Sequence, residues 1–315
     1  MRTDDQMSAG DYNMPSGRDA IVYNTHFNFN AVYVLESLGP NDEKTGESLY
    51  DDVIFPQTRV LDGCYTKFLK IPDEAALLDA LRAIRDNVRA ANHRPIIHIE
   101  AHGDSTGIQL SDRNVVGWRQ LAEPFAAINQ ESEFNLTVMA IACQGWYLTG
   151  ALMPADRAPV ALVIGPPTDM SGQQLLDAST RFYDTLFRRL DLTAALVAMN
   201  EGRLYDDWSL KPATAEILFC RVFRRYVDEV CSAPNLQERE NRLVADVVRA
   251  EGLNLLQSAG VRLEVRRHIG DYEWWYNHFR ERFMMLDIFP ANRDRFGLTY
   301  SKCNPGALTE PEIPN

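Results

Sequence analysis

Short apolar runs rich in β-branched residues alternate with longer segments of helical period, and this alternation constrains the fold more than any other feature. The runs that predict strands cover residues 30–35, 64–71, 95–101, 136–142 and 159–164. Between the second and third runs, apolar residues recur three or four positions apart, at Leu77, Leu81, Ile84 and Val88. Strands separated by helices of this length imply right-handed crossovers. We therefore predict an α/β fold with a mostly parallel sheet and helices on both faces.

The residue pattern changes at two points along the chain, and this predicts three regions. Residues 1–18 are polar and rich in Gly, Ser and Asp, and are typical of a mobile tail. Residues 19–213 contain the predicted strands, and residues 214–315 would form a mainly helical extension packed on them. Within the extension, the run VRLEVRRHI (261–269) is typical of a short strand. The aromatic segment that follows has helical spacing, with Trp274, Trp275, Tyr276 and Phe279, and this spacing favours packing on the sheet over binding a partner or lining a groove.

Composition excludes several classes of protein. The net charge of −12 over 315 residues disfavours direct binding to nucleic acid. No run of about 18 apolar residues predicts a membrane span, and the first residues lack the apolar core of a signal peptide. The five cysteines are odd in number and widely spaced, so we expect reduced thiols in a cytoplasmic protein.

Two predicted strands end in reactive residues. The strand at 95–101 runs into His102 and Gly103, and the strand at 136–142 runs into Cys143. In open parallel sheets, functional residues collect where the strands end. If these two strands are neighbours, the imidazole and the thiol lie at one edge of the sheet and can face one another.

A thiol and an imidazole at one edge point to nucleophilic catalysis. The attacking species is the thiolate, and an imidazole can take up the thiol proton near neutral pH. The oxygen that becomes negative needs two N–H donors. The backbone amides of Gly103 and Cys143 are candidates for this oxyanion hole, because a glycine has no side chain to block the approach.

These segments resemble a known family. IIHIEAHGDSTGIQLSD (96–112) resembles the His-Gly segment of caspase-like peptidases, above all those of the bacterial CHAT type, which are relatives of caspases and separases. VMAIACQGWYLTGAL (138–152) resembles their nucleophile segment, and the similarity extends in the same order over residues 28–205. The resemblance implies a caspase-like domain at 19–213, with His102 as general base and acid and Cys143 as nucleophile of a cofactor-free cysteine endopeptidase.

The resemblance also bears on partners and specificity. It implies a protein substrate and a place in a bacterial defence or cell-death system. Because a free peptidase would damage its host, we expect a resting state of low activity, controlled by an activating or inhibiting protein partner. In that state segment 145–157 would be disordered or misplaced, and a partner or cleavage would order it. Related peptidases carry Asp two residues before the nucleophile, where this chain has Ile141, which favours an uncharged residue before the cut. Asp169 is a second candidate for the substrate pocket, although such an Asp more often caps a turn.

Three alternatives remain open on the sequence alone. His98, Glu100 and His102 would share one face of a strand, which allows a zinc site if further ligands are present. The group that orients His102 could be Glu100 or, at least as well, a backbone carbonyl. Finally, a caspase-like fold could serve as a catalytically silent scaffold or interaction module.

Overall fold

The computed structural model describes residues 28–61, 63–152, 156–200, 209–252 and 254–303. Within these residues eight strands are present: β1 (Ala31–Ser37), β2 (Tyr65–Lys70), β3 (Pro95–Gly103), β4 (Gly107–Gln109), β5 (Val115–Gly117), β6 (Thr137–Ile141), β7 (Leu162–Gly165) and β8 (Lys211–Thr214). The sheet has the order β2-β1-β3-β6-β7-β8, and all of its neighbours are parallel except β7 and β8. β4 and β5 form an antiparallel hairpin that pairs with the end of β3.

Helices lie on both faces of this sheet. In the described part of the chain they are α1 (Thr45–Leu49), α2 (Phe55–Thr58), α3 (Glu74–Ala91), α4 (Ala122–Glu131), α5 (Leu148–Leu152), α6 (Gly172–Arg189), α7 (Leu192–Met199), α8 (Ala215–Arg225), α9 (Ala233–Glu251), α10 (Leu255–Gly270), α11 (Tyr272–Phe283), α12 (Asn292–Arg295) and α13 (Tyr300–Cys303). Single turns of other helix types occur at Trp118–Leu121 and Gly145–Tyr147 (3₁₀) and at Tyr50–Ile54 and Tyr226–Val230 (π).

Two apolar clusters form the interfaces between the helices and the two faces of the sheet. On one face, odd-numbered residues of β3 pack with α3, α4, α8 and α11; on the other, Ile96 packs with α1, α6 and α7. The predicted α/β fold with a mostly parallel sheet and helices on both faces is therefore confirmed. The five predicted strands correspond to β1, β2, β3, β6 and β7, and only β7 begins as many as three residues from the predicted start.

Helix α3 illustrates how local sequence sets these elements. Asp73 precedes the helix in extended conformation, and its carboxylate accepts a hydrogen bond from the Ala76 amide, which caps the first turn. The predicted stripe from Leu77 to Val88 is buried against the sheet. Asn92 then ends the helix in the left-handed region, with a φ of 53°. Capping and periodicity therefore agree with the packing.

The carboxy-terminal part of the chain belongs to the same apolar core as the sheet. The predicted boundary at residue 213 falls inside β8, which pairs with β7. Phe219 and Phe223 of α8 contact the buried Tyr276 of α11. Trp274, by contrast, is 44% exposed, so the predicted aromatic segment is only partly buried. The predicted tail at residues 1–18 lies outside the described residues.

The strand predicted at 261–269 is wrong, because this run lies within helix α10. Its apolar residues fit both periods: 261, 263 and 265 alternate, whereas 261, 265 and 269 lie one helical turn apart. In the structure Ile269 is buried and Leu263 is 70% exposed, which is the helical pattern. The run packs against α9: its Arg262 and Arg266 both form ion pairs with Glu240 of α9, which is buried.

The expectation that all five thiols are reduced is also wrong. Cys220 of α8 and Cys303 of α13 form a disulfide across 83 residues, while Cys64, Cys143 and Cys231 are free. The pair forms because α13 returns to α8 and brings the two Cα atoms within 4.9 Å, a contact that spacing in the sequence does not reveal. Among the described residues, no helix is long and apolar enough to cross a membrane.

We predict that reduction of this disulfide lowers the free energy of unfolding by about 2–4 kcal/mol, because the bond restricts the unfolded chain over a long loop. Urea denaturation with and without reductant measures the change. A Cys220→Ser/Cys303→Ser variant should not respond to reductant, whereas Cys231→Ser should respond like wild type. Alkylation of all five cysteines in denaturant without reductant would contradict the prediction.

Candidate active site

The register between β3 and β6 determines where the two reactive residues lie. In this parallel pair, Ile99 is opposite Ala140 and Glu100 is opposite Ile141. Two residues beyond the last pair, the same register leads to His102 on one chain segment and Cys143 on the other. β3 and β6 are immediate neighbours in the sheet. The two residues predicted for catalysis are therefore delivered by adjacent strand ends.

The two side chains also lie on the same face of the sheet. Side chains alternate along a strand, and Ile96 faces the cluster beside α6, so His98, Glu100 and His102 share that face. On β6, Met139 and Ile141 face the same cluster, whereas Ala140 and Ala142 face the opposite one. The Cys143 thiol donates a hydrogen bond to the Met170 carbonyl at 3.6 Å, and Met170 packs against the cluster beside α6.

A tight turn carries the nucleophile candidate away from β6. Gln144, directly after Cys143, has a left-handed backbone with a φ of 58°. Gly145 packs so closely on β6 that a Cβ atom there would lie 2.1 Å from the Ala140 carbonyl oxygen. The amides of residues 144, 145 and 146 donate to carbonyls of Thr168, Ala142 and Pro166. Of the four amides at 143–146, only that of Cys143 has no acceptor among the described residues.

Gly103 lies directly beside this turn. A Cβ atom built on Gly103 would be 2.9 Å from the Cys143 carbonyl oxygen and 2.9 Å from the Ala142 methyl group. A side chain at this position would displace the nucleophile turn, and this close approach is the physical reason why residue 103 is a glycine. The structure therefore packs the chain segment that carries His102 and Gly103 against the turn that carries Cys143.

His102 has a partner that sequence reasoning missed. Its Nε2 atom lies 3.0 Å from Oδ2 of Asp42, in the loop after β1. This bond, with a second one from the Gly39 amide to the same oxygen, holds the pKa of Asp42 below its usual range. An ionised carboxylate can only accept, so this hydrogen bond requires a proton on Nε2; in the neutral form of the ring, Nδ1 is then the nitrogen without a proton. Among the described residues, the hydrogen-bond partner of His102 is Asp42, whereas Glu100 bonds to His98.

The sequence contains a signal for Asp42. Residues 39–42 read Gly-Pro-Asn-Asp directly after a predicted strand, and proline at the second position is typical of a β-turn. The Asp42 amide closes this turn on the Gly39 carbonyl at 3.2 Å. The loop follows β1, the neighbour of β3 on the side opposite β6.

A buried polar network lies on the same face of β3 as His102, beginning two residues before it at Glu100. His98 is fully buried and contacts Glu100 through Nε2 at 2.8 Å, and Thr45 donates to the other Glu100 oxygen at 2.6 Å. Glu36, on the paired position of β1, accepts from the Glu47 amide at 2.9 Å. Burial, with the charge of Glu100 beside it, raises the pKa of Glu36. Tyr183 of α6 completes the network at 3.4 Å from Nδ1 of His98.

This network bears on two of the open alternatives. Glu100 is a partner of His98, so it supports the strand beneath the site. His102 turns towards Asp42, so the histidines at 98 and 102 do not converge on one point. Within the described residues, no group of three or more His, Cys, Asp or Glu side chains is arranged to hold a metal ion.

The two candidates for the substrate pocket lie in different environments. Ile141 is fully buried in the cluster beside α6, so its side chain does not face solvent in this structure. Asp169 is exposed and accepts a hydrogen bond from the Gln144 side chain at 3.0 Å. Asp169 therefore lies beside the nucleophile turn, and Ile141 beneath it.

The segment after the nucleophile turn is attached to the carboxy-terminal helices. Arg157 binds Asp287 through two hydrogen bonds of 2.7 Å, Asp156 pairs with Arg282, and the Ala158 amide donates to the Phe283 carbonyl. Closer to the site, the guanidinium of Arg221 on α8 lies 5.6 Å from the centre of the Trp146 ring. Segment 145–157 is the part of the chain predicted to be disordered or misplaced in the resting state. Residues 153–155 lie outside the described residues. The rest consists of the turn at Gly145–Tyr147, helix α5 and residues 156–157, which make the ion pairs given above.

Comparison of the chain with models of known protein families gives no match, and comparison with curated protein sequences gives none either. The case for a function therefore depends on the residues themselves.

The polar network makes a prediction about stability. Glu100→Ala leaves His98 and Thr45 without their buried partner and should lower the free energy of unfolding by about 3–5 kcal/mol. The matched control is Glu47→Ala, whose carboxylate forms an exposed ion pair with Lys70 and should contribute less than about 1 kcal/mol. Urea denaturation of both variants measures the difference. Equal losses would mean that the buried network contributes no more than a surface pair.

Proposed function

We propose that the chain is a cysteine endopeptidase of the caspase-like CHAT type, in which Cys143 is the nucleophile and His102 its acid–base partner. The observation that carries this proposal is the register of β3 with β6, which leads to an imidazole and a thiol at neighbouring strand ends on one face. The close packing of Gly103 on the Cys143 carbonyl supports it, since it joins the two segments into one site.

The first half of the reaction is acylation. His102 takes the thiol proton, and the thiolate of Cys143 adds to the carbonyl carbon of the peptide bond while an electron pair moves onto the carbonyl oxygen. The amides of Cys143 and Gly103 donate to this oxyanion. The intermediate then collapses, the C–N bond breaks, and the imidazolium gives its proton to the departing amine. A thioester joins the acyl part of the substrate to Cys143.

The second half is hydrolysis of the thioester. The neutral imidazole of His102 removes a proton from water as the water oxygen attacks the thioester carbon. When the C–S bond breaks, the carboxylic acid product leaves and the thiolate is restored beside the imidazolium. The cycle needs no cofactor, since every proton and electron pair is supplied by substrate, water, His102 and Cys143.

The resting geometry is consistent with a regulated enzyme. The Cys143 thiol is bonded to the Met170 carbonyl, and His102 to Asp42, so neither group is hydrogen-bonded to the other. Catalysis would need the thiol to turn from that carbonyl towards Nδ1, a rotation about its Cα–Cβ bond. We extend the proposal to a protein substrate and an activating or inhibiting protein partner in a bacterial defence or cell-death system. This extension is an implication of the family resemblance.

The proposal predicts that Cys143 reacts selectively with peptidyl electrophiles. A mixture of peptidyl acyloxymethyl ketones that differ in the residue beside the reactive group should label Cys143 faster than Cys64 or Cys231. His102→Ala should reduce the labelling rate, and hydrolysis of a cleaved peptide should fall by about 10⁴-fold or more in Cys143→Ala. Mass spectrometry locates the label, and mapping of new amino termini in a protein mixture identifies the cleaved bond.

The same experiment tests the scaffold alternative. A catalytically silent protein would be labelled at Cys143 no faster than at the other free cysteines, and His102→Ala would change nothing. Cleavage of general peptide mixtures at full rate without a partner would contradict the regulatory part of the proposal alone.

The packing of Gly103 gives a second prediction. Gly103→Ala forces a methyl group against the Cys143 carbonyl and should lower peptide hydrolysis by about 10²-fold or more, the effect of losing one oxyanion donor. The matched control is Gly117→Ala in the adjacent β4–β5 hairpin, where the nearest atom is 3.4 Å away and the backbone φ of −66° suits any residue. Similar activity of the two variants would exclude Gly103 from the oxyanion site.

A further inference from the structure

We infer that Asp42 is a positioning residue for His102, so that the site is a triad of Asp42, His102 and Cys143. This inference rests on the proposed function. It adds to the dyad a carboxylate that fixes which ring nitrogen of His102 carries the proton and which faces the thiol.

The order of the strands supplies the first argument. The sheet runs β1-β3-β6, so His102 at the end of β3 lies between the loop after β1 and the turn after β6. Asp42 approaches from the first side and Cys143 from the second. The two nitrogens of an imidazole lie on opposite sides of the ring. With Nε2 bonded to Asp42, the unprotonated Nδ1 is therefore left for the side on which the thiol lies.

The second argument is that Asp42 is held in place without the help of His102. Its Oδ2 atom accepts from the Gly39 amide at 2.7 Å, and its own amide closes the turn on the Gly39 carbonyl. Lys44 crosses the same loop and donates to the carbonyls of Leu38 and Gly39. A carboxylate fixed by its own loop can select one orientation of a ring that is otherwise 58% exposed.

The third argument concerns charge. During catalysis His102 becomes an imidazolium, and a fixed carboxylate on the far side of the ring stabilises that positive charge. Asp104, two residues after His102 in the chain, is bonded elsewhere. Asp104 accepts hydrogen bonds from the hydroxyl and amide of Thr106, which lower its pKa and hold it within its own turn. The positive charge of Lys44 also lowers the pKa of Asp42.

The test uses iodoacetamide as a probe of the Cys143 thiol in the full chain. Its second-order rate is measured from about pH 5 to about pH 9, where a thiolate–imidazolium pair gives two steps. Asp42→Asn should react at least about tenfold more slowly near pH 6, and the step at high pH should move to lower pH, because the imidazolium has lost its counter-charge. The matched control is Glu43→Gln, an exposed neighbour with the same change of charge, which should behave like wild type.

A second measurement reads the tautomer directly. Two-bond ¹H–¹⁵N spectra should place the proton of His102 on Nε2 in wild type, with the signal assigned by its loss in His102→Ala. In Asp42→Ala the proton should shift in part to Nδ1, and Asp42→Glu should restore the wild-type tautomer in part. These spectra distinguish positioning from a general loss of structure.

The outcomes separate the two proposals. If His102→Ala reacts like wild type, the proposed function fails regardless of Asp42. If His102→Ala loses reactivity while Asp42→Asn matches Glu43→Gln, the dyad stands and the positioning role is overturned. A faster reaction in Asp42→Asn would also overturn it, because the carboxylate would then be holding the ring away from the thiol.

Discussion

The parallel pairing of β3 with both β1 and β6 is the constraint on which the rest of the structure depends. Because side chains alternate along a strand, a shift of one residue in either pair would turn a reactive group to the opposite face. The register is fixed from both sides: Ile97 and Ile99 face one apolar cluster, and Ile96 faces the other. Burial of both faces therefore specifies where His102, Asp42 and Cys143 emerge.

Beneath the site, the same strands carry polar groups into the interior. His98, Glu100 and Glu36 are almost completely buried, yet each has a hydrogen-bond partner, which is the condition under which such groups are tolerated. The network ties β1 and β3 to α1 and α6, and so to the loop that holds Asp42. The buried network therefore contributes both to the stability of the fold and to the positions of the strand ends that carry the candidate site.

The features that the sequence predicts are those with a local cause. Strands β1, β3 and β6 are recognisable because apolar, β-branched runs are flanked by polar turns, and His102 and Cys143 because they follow such runs. Contacts between distant segments have no local cause. Asp42 lies 60 residues from His102, and Cys220 lies 83 from Cys303, so only the folded chain pairs them. Helix α10 was missed for another reason, because Val261, Leu263 and Val265 also alternate as in a strand and packing on α9 decided between the periods.

The carboxy-terminal helices have a consequence for how this chain can be divided. Phe283, Met284, Met285 and Leu286 belong to the cluster that covers one face of the sheet, and Phe134 meets Phe296 at 4.9 Å between ring centres. A fragment that stops at residue 213 would leave this apolar surface open to water and would associate with itself rather than stay in solution. The sheet and the described helices between residues 214 and 303 consequently form one folding unit, so loss or exchange of these helices would have to be matched by new residues on the sheet.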